Sequence, residues 1–137
     1  MSSGSPPLGL KHQQSLTVTP DLTVPSVSPH FPQFKEMPAV FATAFMVAFV
    51  EDTCVAALQP HLSAGQRTVG THVNVSHNAA TPIGMQAHCA VELVEVEGRR
   101  LKFKVTCSDD KGSIGEGFHE RFIIDLERFL ARLGEKK

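Results

Sequence analysis

Two polar residues stand where the hydrophobic pattern predicts apolar ones. Glu51 directly follows the apolar run VFATAFMVAFV, and His77 shares one face of an extended segment with Val73 and Val75. If both side chains reach one seam between a helix and a sheet, they can perform acid–base or nucleophilic chemistry. Two simpler interpretations remain open: the helix emerges into solvent at Glu51, and His77 is a hydrogen-bonded core histidine.

Three further residues could assist such chemistry. Thr43 stands where the helix N-cap would stand, and its hydroxyl could also orient substrate or water near the positive end of the helix. Gly70, on the opposite strand face from His77, offers a backbone N–H that no side chain shields, although a strand glycine often marks a bulge. Arg121 shares a strand face with His119 and could bind a phosphate or pair with a carboxylate.

One helix and several antiparallel strands must position these residues. Residues 44–58 lack Gly and Pro and are apolar on nearly every side up to Val50, which predicts a helix buried all round. Alternating patterns predict an edge strand and four further strands, a bulge near Val94, and a short amphipathic helix at the end. The strands are expected at 15–24, from 69 to 77, at 85–96, at 101–107 and at 114–124, with turns at 97–98 and 109–112 and the second helix at 126–133.

A helix that is apolar on all sides needs cover on all sides. A strongly curved antiparallel sheet wrapped around it provides that cover, so we predict an α+β hot-dog fold. The folded domain is expected to span residues 15–137. Residues 1–14 are mostly Ser, Gly, Pro and Gln, and they are predicted to be a disordered, dispensable tail.

Composition excludes several classes of function. The chain has 137 residues and a formal charge of −1, which argues against a nucleic-acid binder. Its longest apolar run, Pro38 to Val50, is too short to span a membrane. Cys54, Cys89 and Cys107 have no CxxC spacing, so they are expected to be reduced core thiols of a cytoplasmic protein. The seven histidines have no metal-ligand spacing, so no metal is expected.

Four segments resemble the hot-dog acyl-CoA thioesterases, in particular the fluoroacetyl-CoA thioesterase branch. The resemblance implies hydrolysis of an acyl-CoA thioester in a homodimer whose sites lie at the subunit interface, and it leaves a tetramer open. It also implies that coenzyme A enters as part of the substrate and that no cofactor is needed. The segments are PAVFATAFMVAFVEDTCVAAL (38–58), VGTHVNVSHNAATPIG (69–84), VEGRRLKFKV (96–105) and GEGFHERFIIDLERF (115–129).

The resemblance also assigns roles to four residues. It implies an active site of Thr43, Glu51 and His77, with Gly70 contributing a backbone N–H toward the oxyanion. Glu51 is expected to act as general base for water or as direct nucleophile, and the sequence leaves both open. His77 is expected to transfer protons, and Thr43 to position Glu51 or the acyl chain.

The segment from Pro29 to Pro38 is predicted to be a mobile lid over the acyl group. Phe34 is retained there, but Met37 stands where the fluoroacetyl-specific pattern has an aromatic lid residue. Because Met is flexible, the resemblance predicts a broader or different acyl specificity. Two other functions stay open at this point: a hot-dog hydratase or dehydratase, and a non-catalytic acyl-CoA binding module.

Overall fold

A curled antiparallel sheet packed against one long helix forms the framework of the protein. The computed structural model describes residues 5–136, and its strands follow the order β1-β3-β4-β5-β2 across the sheet. This is the predicted α+β hot-dog architecture. The strands are β1 (Lys11–Thr17), β2 (Gln66–Val75), β3 (Gln86–Glu97), β4 (Arg100–Asp109) and β5 (Gly112–Asp125), and the helices are α1 (Thr43–Leu58) and α2 (Leu126–Gly134).

The sheet covers only one side of α1. The buried side carries Met46, Phe49, Val50, Cys54 and Leu58, which join the inward side chains of β3 and β4 in one hydrophobic core. The opposite stripe is exposed, and it carries Ala44, Ala48 and Val55. The prediction of a helix buried all round is therefore wrong for a single chain. Within residues 5–136, neither helix has both the length and the apolar character needed to cross a bilayer.

The hairpins follow the predicted alternation. Leu101, Phe103 and Val105 of β4 are fully buried, and the register between β3 and β4 shifts around Val94. That shift confirms the predicted bulge. Gly98 has φ 61° in the first hairpin turn, a conformation that glycine adopts without a steric penalty.

A second bulge, in β2, changes which residues face the helix. The register against β5 shifts just after Gly70, so that Gly70 lies opposite Arg121 and Val73 lies opposite His119. Residues directly opposite each other in an antiparallel pair share a face. The extra residue, Thr71, therefore places Gly70 and Val73 on the same inward face, and the predicted assignment of opposite faces is wrong.

The predicted tail is partly ordered sheet. Lys11 to Gln14 pair with β3, and the Gln14 side chain donates to Asp52 Oδ2 and Thr53 Oγ1, both at 3.1 Å. The boundary predicted after Gln14 is therefore wrong, although the edge position of this strand is confirmed. The strand ends at Thr17 rather than at residue 24, because short 3-10 turns begin at Pro20. Residues 1–4 of the predicted tail lie outside the described residues.

A chain that starts at Ser15 should be less stable than the full chain. The truncation removes Lys11 to Gln14, more than half of β1, together with Leu10, which packs on the core. Full burial of a leucine contributes about 1.5–3 kcal/mol, and the partly buried Leu10 contributes a fraction of that. Urea unfolding of both chains measures the difference, and Gln14→Ala, which loses only two side-chain hydrogen bonds, should show a much smaller effect. An unchanged unfolding midpoint for the truncated chain would contradict the structural role of β1.

Candidate active site

A threonine and a histidine meet at the N-terminus of α1. Thr43 is the first residue of the helix, and its Oγ1 lies 2.7 Å from Nδ1 of His77. Backbone contacts fix this meeting: Val40 forms an isolated bridge with Pro82, and the Phe41 N–H donates to the Thr81 carbonyl at 2.9 Å. The Thr43 hydroxyl makes no capping bond, so the predicted N-cap is wrong.

The His77 ring has one nitrogen available for chemistry. Within residues 5–136, its buried Nε2 has no hydrogen-bond partner, and the edge of the ring contacts Phe41 with centroids 6.4 Å apart. Burial lowers the pKa of His77 below its ordinary value of 6.5. The imidazole is therefore neutral near pH 7, the form that can accept a proton.

Glu51 lies in a second cluster, two turns further along α1. Arg121 Nη1 donates to Glu51 Oε1 at 2.8 Å, while Arg121 Nε and Nη2 donate to Oγ1 and the carbonyl of Thr68 at 2.8 and 3.0 Å. Arg121 is only 5% exposed, whereas the Glu51 side chain is 40% exposed. Of the two roles predicted for Arg121, pairing with a carboxylate is the one that the structure shows.

Gly70 permits the close approach of this second cluster to β2. A Cβ at position 70 would stand 2.7 Å from Glu51 Oε1, 3.2 Å from His119 Cε1 and 3.3 Å from Arg121 Nη1. Any side chain there would displace the carboxylate or the guanidinium. The bulge in β2 thus brings the Gly70 backbone next to Glu51, and away from the Thr43–His77 pair of the same chain.

The predicted Glu51–His77 pair is not formed within one chain. Eight residues of helix separate Thr43 from Glu51, which is about 12 Å along the axis at 1.5 Å per residue. In the described part of the chain, no hydrogen bond or ion pair joins Glu51 to His77. The structure therefore divides the predicted site into a Thr43–His77 pair and a Glu51–Arg121 cluster.

Two members of the second cluster were not assigned a function from the sequence. The strand pattern puts His119 on the face of Arg121 but gives it no role, and it gives no signal at Thr68. The signal that could have located them is Gly70, because a glycine inside a strand pattern often marks a bulge or a close backbone approach.

The proposed lid residues lie on the segment that leads into α1. Phe34 is half-buried and packs on Phe31 with ring centroids 5.7 Å apart, while Met37 is 47% exposed. A 3-10 turn spans Pro32–Glu36, and the Met37 N–H donates to the Phe34 carbonyl at 3.1 Å. The mobility of this segment stays a prediction.

The three cysteines lie in the core. Cys54, Cys89 and Cys107 are free and buried, and burial raises the pKa of the Cys54 thiol. Cys54 is therefore a core side chain rather than a nucleophile. Across residues 5–136, no group of three or more His, Cys, Asp or Glu side chains is arranged to hold a metal ion.

Replacing Thr43 by alanine should lower activity without lowering stability. The hydroxyl bonds His77 rather than capping the helix, so the loss of about 1 kcal/mol typical of an N-cap is not expected. Thr43→Ser retains the hydroxyl and should retain most of the turnover. Thermal melts and thiol-release assays on both variants test this, and a destabilised Thr43→Ala protein would restore the capping role.

Comparison with known proteins agrees with this fold. The fluoroacetyl-CoA thioesterase of Streptantibioticus cattleyicolor is 43% identical over 129 residues, covering 94% of this chain and 93% of the relative. A solved structure of a fluoroacetyl-CoA thioesterase matches with a TM-score of 0.92 at 42% identity, covering 96% and 97% of the two chains. A variant of that enzyme in complex with fluoroacetate and CoA matches with a TM-score of 0.87 at 43% identity, covering 90% and 98%.

These matches define the chain as a hot-dog thioesterase. The family described as fluoroacetyl-CoA-specific thioesterase matches residues 18–127. The chain belongs to this family.

Proposed function

We propose that the protein hydrolyses small acyl-CoA thioesters at the Thr43–His77 pair. The observation that carries this proposal is the 2.7 Å contact between Thr43 Oγ1 and His77 Nδ1, in a histidine whose other nitrogen is buried and unpartnered. A hydroxyl bonded to a neutral imidazole is the arrangement that activates a weak nucleophile. Relatives named for fluoroacetyl-CoA, one of them in complex with CoA, support the substrate class.

The chemistry follows from the position of the pair. His77 takes the hydroxyl proton of Thr43, whose Oγ1 attacks the thioester carbonyl carbon. The backbone N–H expected to face the developing oxyanion is that of Gly70. The C–S bond breaks, and the thiolate of CoA takes the proton from His77. Water then releases the acyl group from Thr43 with His77 again as base, so the reaction needs no cofactor.

Glu51 is the alternative nucleophile or base, as the family resemblance allows. Its Oε1 already accepts a hydrogen bond from Arg121, whereas the Thr43 hydroxyl lies directly against the His77 imidazole. We therefore assign the attack to Thr43. Glu51 supplies an acceptor for the Nε2–H of His77, which stabilises the imidazolium that forms during the reaction.

Glu51 can reach His77 when two chains assemble about a two-fold axis. Thr43 and Glu51 lie four residues on either side of Val47, so antiparallel α1 helices crossing there bring Thr43 of one protomer near Glu51 of its partner. Edge-to-edge pairing of two β2 strands, centred just after Val73, brings Gly70 near the partner's His77 in the same way.

Surface features of the single chain support this dimer. The exposed stripe of α1 contains Ala44 and Ala48, whose small side chains permit a close helix contact. Val55 of the same stripe and Val73 of the free edge strand β2 are large apolar residues that remain exposed. An unpaired strand edge is itself a template for pairing with another chain.

Light scattering tests the assembly directly. The proposal expects a mass of about 30 kDa for a two-fold dimer, twice the 14.9 kDa of one chain. A monomer mass at micromolar concentration would contradict it, and four times the chain mass would indicate a tetramer. A cytoplasmic location stays a prediction.

A thiol-release screen over short, branched, aromatic and fluorinated acyl-CoAs tests the activity. With Met37 at the lid position, we expect release from several small acyl groups rather than from a fluorinated one alone. Change in double-bond absorbance without thiol release would indicate a hydratase or dehydratase. Binding without turnover on every ester would indicate a binding module. Either result would overturn the proposal.

A further inference from the structure

We infer that His119 is a positioning residue, which holds Arg121 and through it the Glu51 carboxylate by acting as a neutral imidazole with its proton on Nδ1. The inference rests on the proposed function, because only there does Glu51 belong to the site. His119 was not among the residues expected to act, and it does not touch the Thr43–His77 pair.

The two partners of His119 determine its tautomer. Nδ1 lies 2.8 Å from the His72 carbonyl, and Nε2 lies 3.1 Å from Arg121 Nη1. A carbonyl oxygen only accepts hydrogen bonds and a guanidinium only donates them. Nδ1 must therefore carry the proton, and Nε2 must present its lone pair to Arg121.

The surroundings of His119 keep the ring in place and uncharged. The residue is 0% exposed, and its neighbours opposite on β4 and β2 are Phe103 and Val73. The charged groups that act on it are Arg121, Glu51, whose Oε1 is 4.0 Å from Nε2, and Glu120, the next residue along β5. Burial lowers the pKa of His119, the Arg121 cation lowers it further, and the His72 carbonyl and Glu51 act in the opposite sense.

This arrangement gives the Arg121 guanidinium a fixed orientation. Its Nε and Nη2 are held by Thr68, and its Nη1 is shared between Glu51 Oε1 and His119 Nε2. Because Nη1 bonds both Glu51 Oε1 and His119 Nε2, the guanidinium keeps one orientation. In that orientation it holds the Glu51 carboxylate next to Gly70. A protonated His119 would set two donors against each other, so acid should release Arg121 from this orientation.

Nuclear magnetic resonance of labelled imidazoles tests the placement without any activity. We expect His119 in the Nδ1–H tautomer at pH 7 and still neutral below pH 6.5, the ordinary pKa of histidine. Arg121→Met leaves the His72 carbonyl in place, so the Nδ1–H tautomer should persist, but the ring should take up its second proton at a higher pH because the neighbouring cation is gone. An Nε2–H tautomer, or an imidazolium at pH 7, would overturn the inference.

Kinetics of two variants test the positioning role. His119→Phe fills the space without an acceptor and should lower kcat about tenfold with KM unchanged. His119→Gln, whose carbonyl oxygen can accept from Arg121, should recover most of that loss. His88→Phe is the matched control, since His88 also bonds two partners, Ser15 and Asp110, but on the outer face of the sheet.

The outcomes separate the two proposals. Wild-type kcat in a folded His119→Phe protein would overturn the positioning role while leaving the thioesterase in place. If His119→Phe fails to fold, a folded His119→Gln protein with less than a tenth of the wild-type kcat would overturn the positioning role, because its amide oxygen can still accept from Arg121. Absence of thiol release in the wild type, with the Nδ1–H tautomer observed, would overturn the proposed function instead.

Discussion

His77→Ala should lower kcat for thioester hydrolysis by about 10²–10⁴, the usual contribution of a positioned acid–base group. The variant removes the acceptor for the Thr43 hydroxyl, which lies 2.7 Å from Nδ1. Its fold should persist, because His77 lies after the last residue of β2. Stopped-flow or steady-state thiol release measures the loss. A rate within a few-fold of wild type would exclude His77 as the base.

The same variant tests which residues act as a unit. Groups that act together lose less in combination than the product of their separate losses. Because Thr43 and His77 are in contact, the Thr43→Ala and His77→Ala changes should be strongly non-additive.

The dependence of the rate on pH adds a check. Since burial lowers the pKa of His77, activity should persist below pH 6.5 and decline as His77 takes up its proton. A rate that does not fall at acid pH would contradict the assignment.

Glu51→Gln should lower kcat by a similar factor, about 10²–10⁴, for a different reason. The amide oxygen can still accept from Arg121, so the cluster should stay assembled, but the negative charge beside the His77 imidazolium is lost. CoA binding should be unchanged, which isothermal titration can check. Near wild-type turnover on every acyl-CoA tried would remove Glu51 from the chemistry. The contact between Arg121 and Glu51 would then be only a structural ion pair.

Local periodicity explains the parts of the fold that the sequence predicted well. The unbroken apolar run of α1, the alternation of Leu101 to Cys107 and the phase slip at Val94 are all signals within one element. Tight turns between β3, β4 and β5 then impose antiparallel order. The hot-dog architecture followed from these local signals and from the apolar surface of the helix, which a curved sheet must cover.

Features that depend on contacts between elements were harder to predict. The segment KHQQSLT of β1 carries little apolar pattern, and its order comes from pairing with β3 and from Gln14 bonds to α1. The N-cap expected at Thr43 failed because His77, distant in sequence, takes its hydroxyl. In β2, one inserted residue at Thr71 reversed the faces, which concealed the approach of Gly70 to Glu51.

The division of the site into two clusters had the same origin. Strict alternation placed His77 and Glu51 at one seam, but helix length keeps Glu51 about 12 Å beyond Thr43 along the axis. Arg121, which is distant in sequence, then donates a hydrogen bond to the Glu51 carboxylate. In the proposed dimer, the predicted set is united by residues of two chains.

Subunit complementation tests most directly whether two protomers complete the active site. A heterodimer of Glu51→Gln and His77→Ala chains, purified through two different tags, contains one site with all native residues if the site is shared. The account predicts about half of the wild-type turnover per two-fold dimer, although each parent homodimer is nearly inactive. A Thr43→Ala and His77→Ala heterodimer should stay inactive, because that pair lies in one chain. No recovery in the first heterodimer would contradict the shared site.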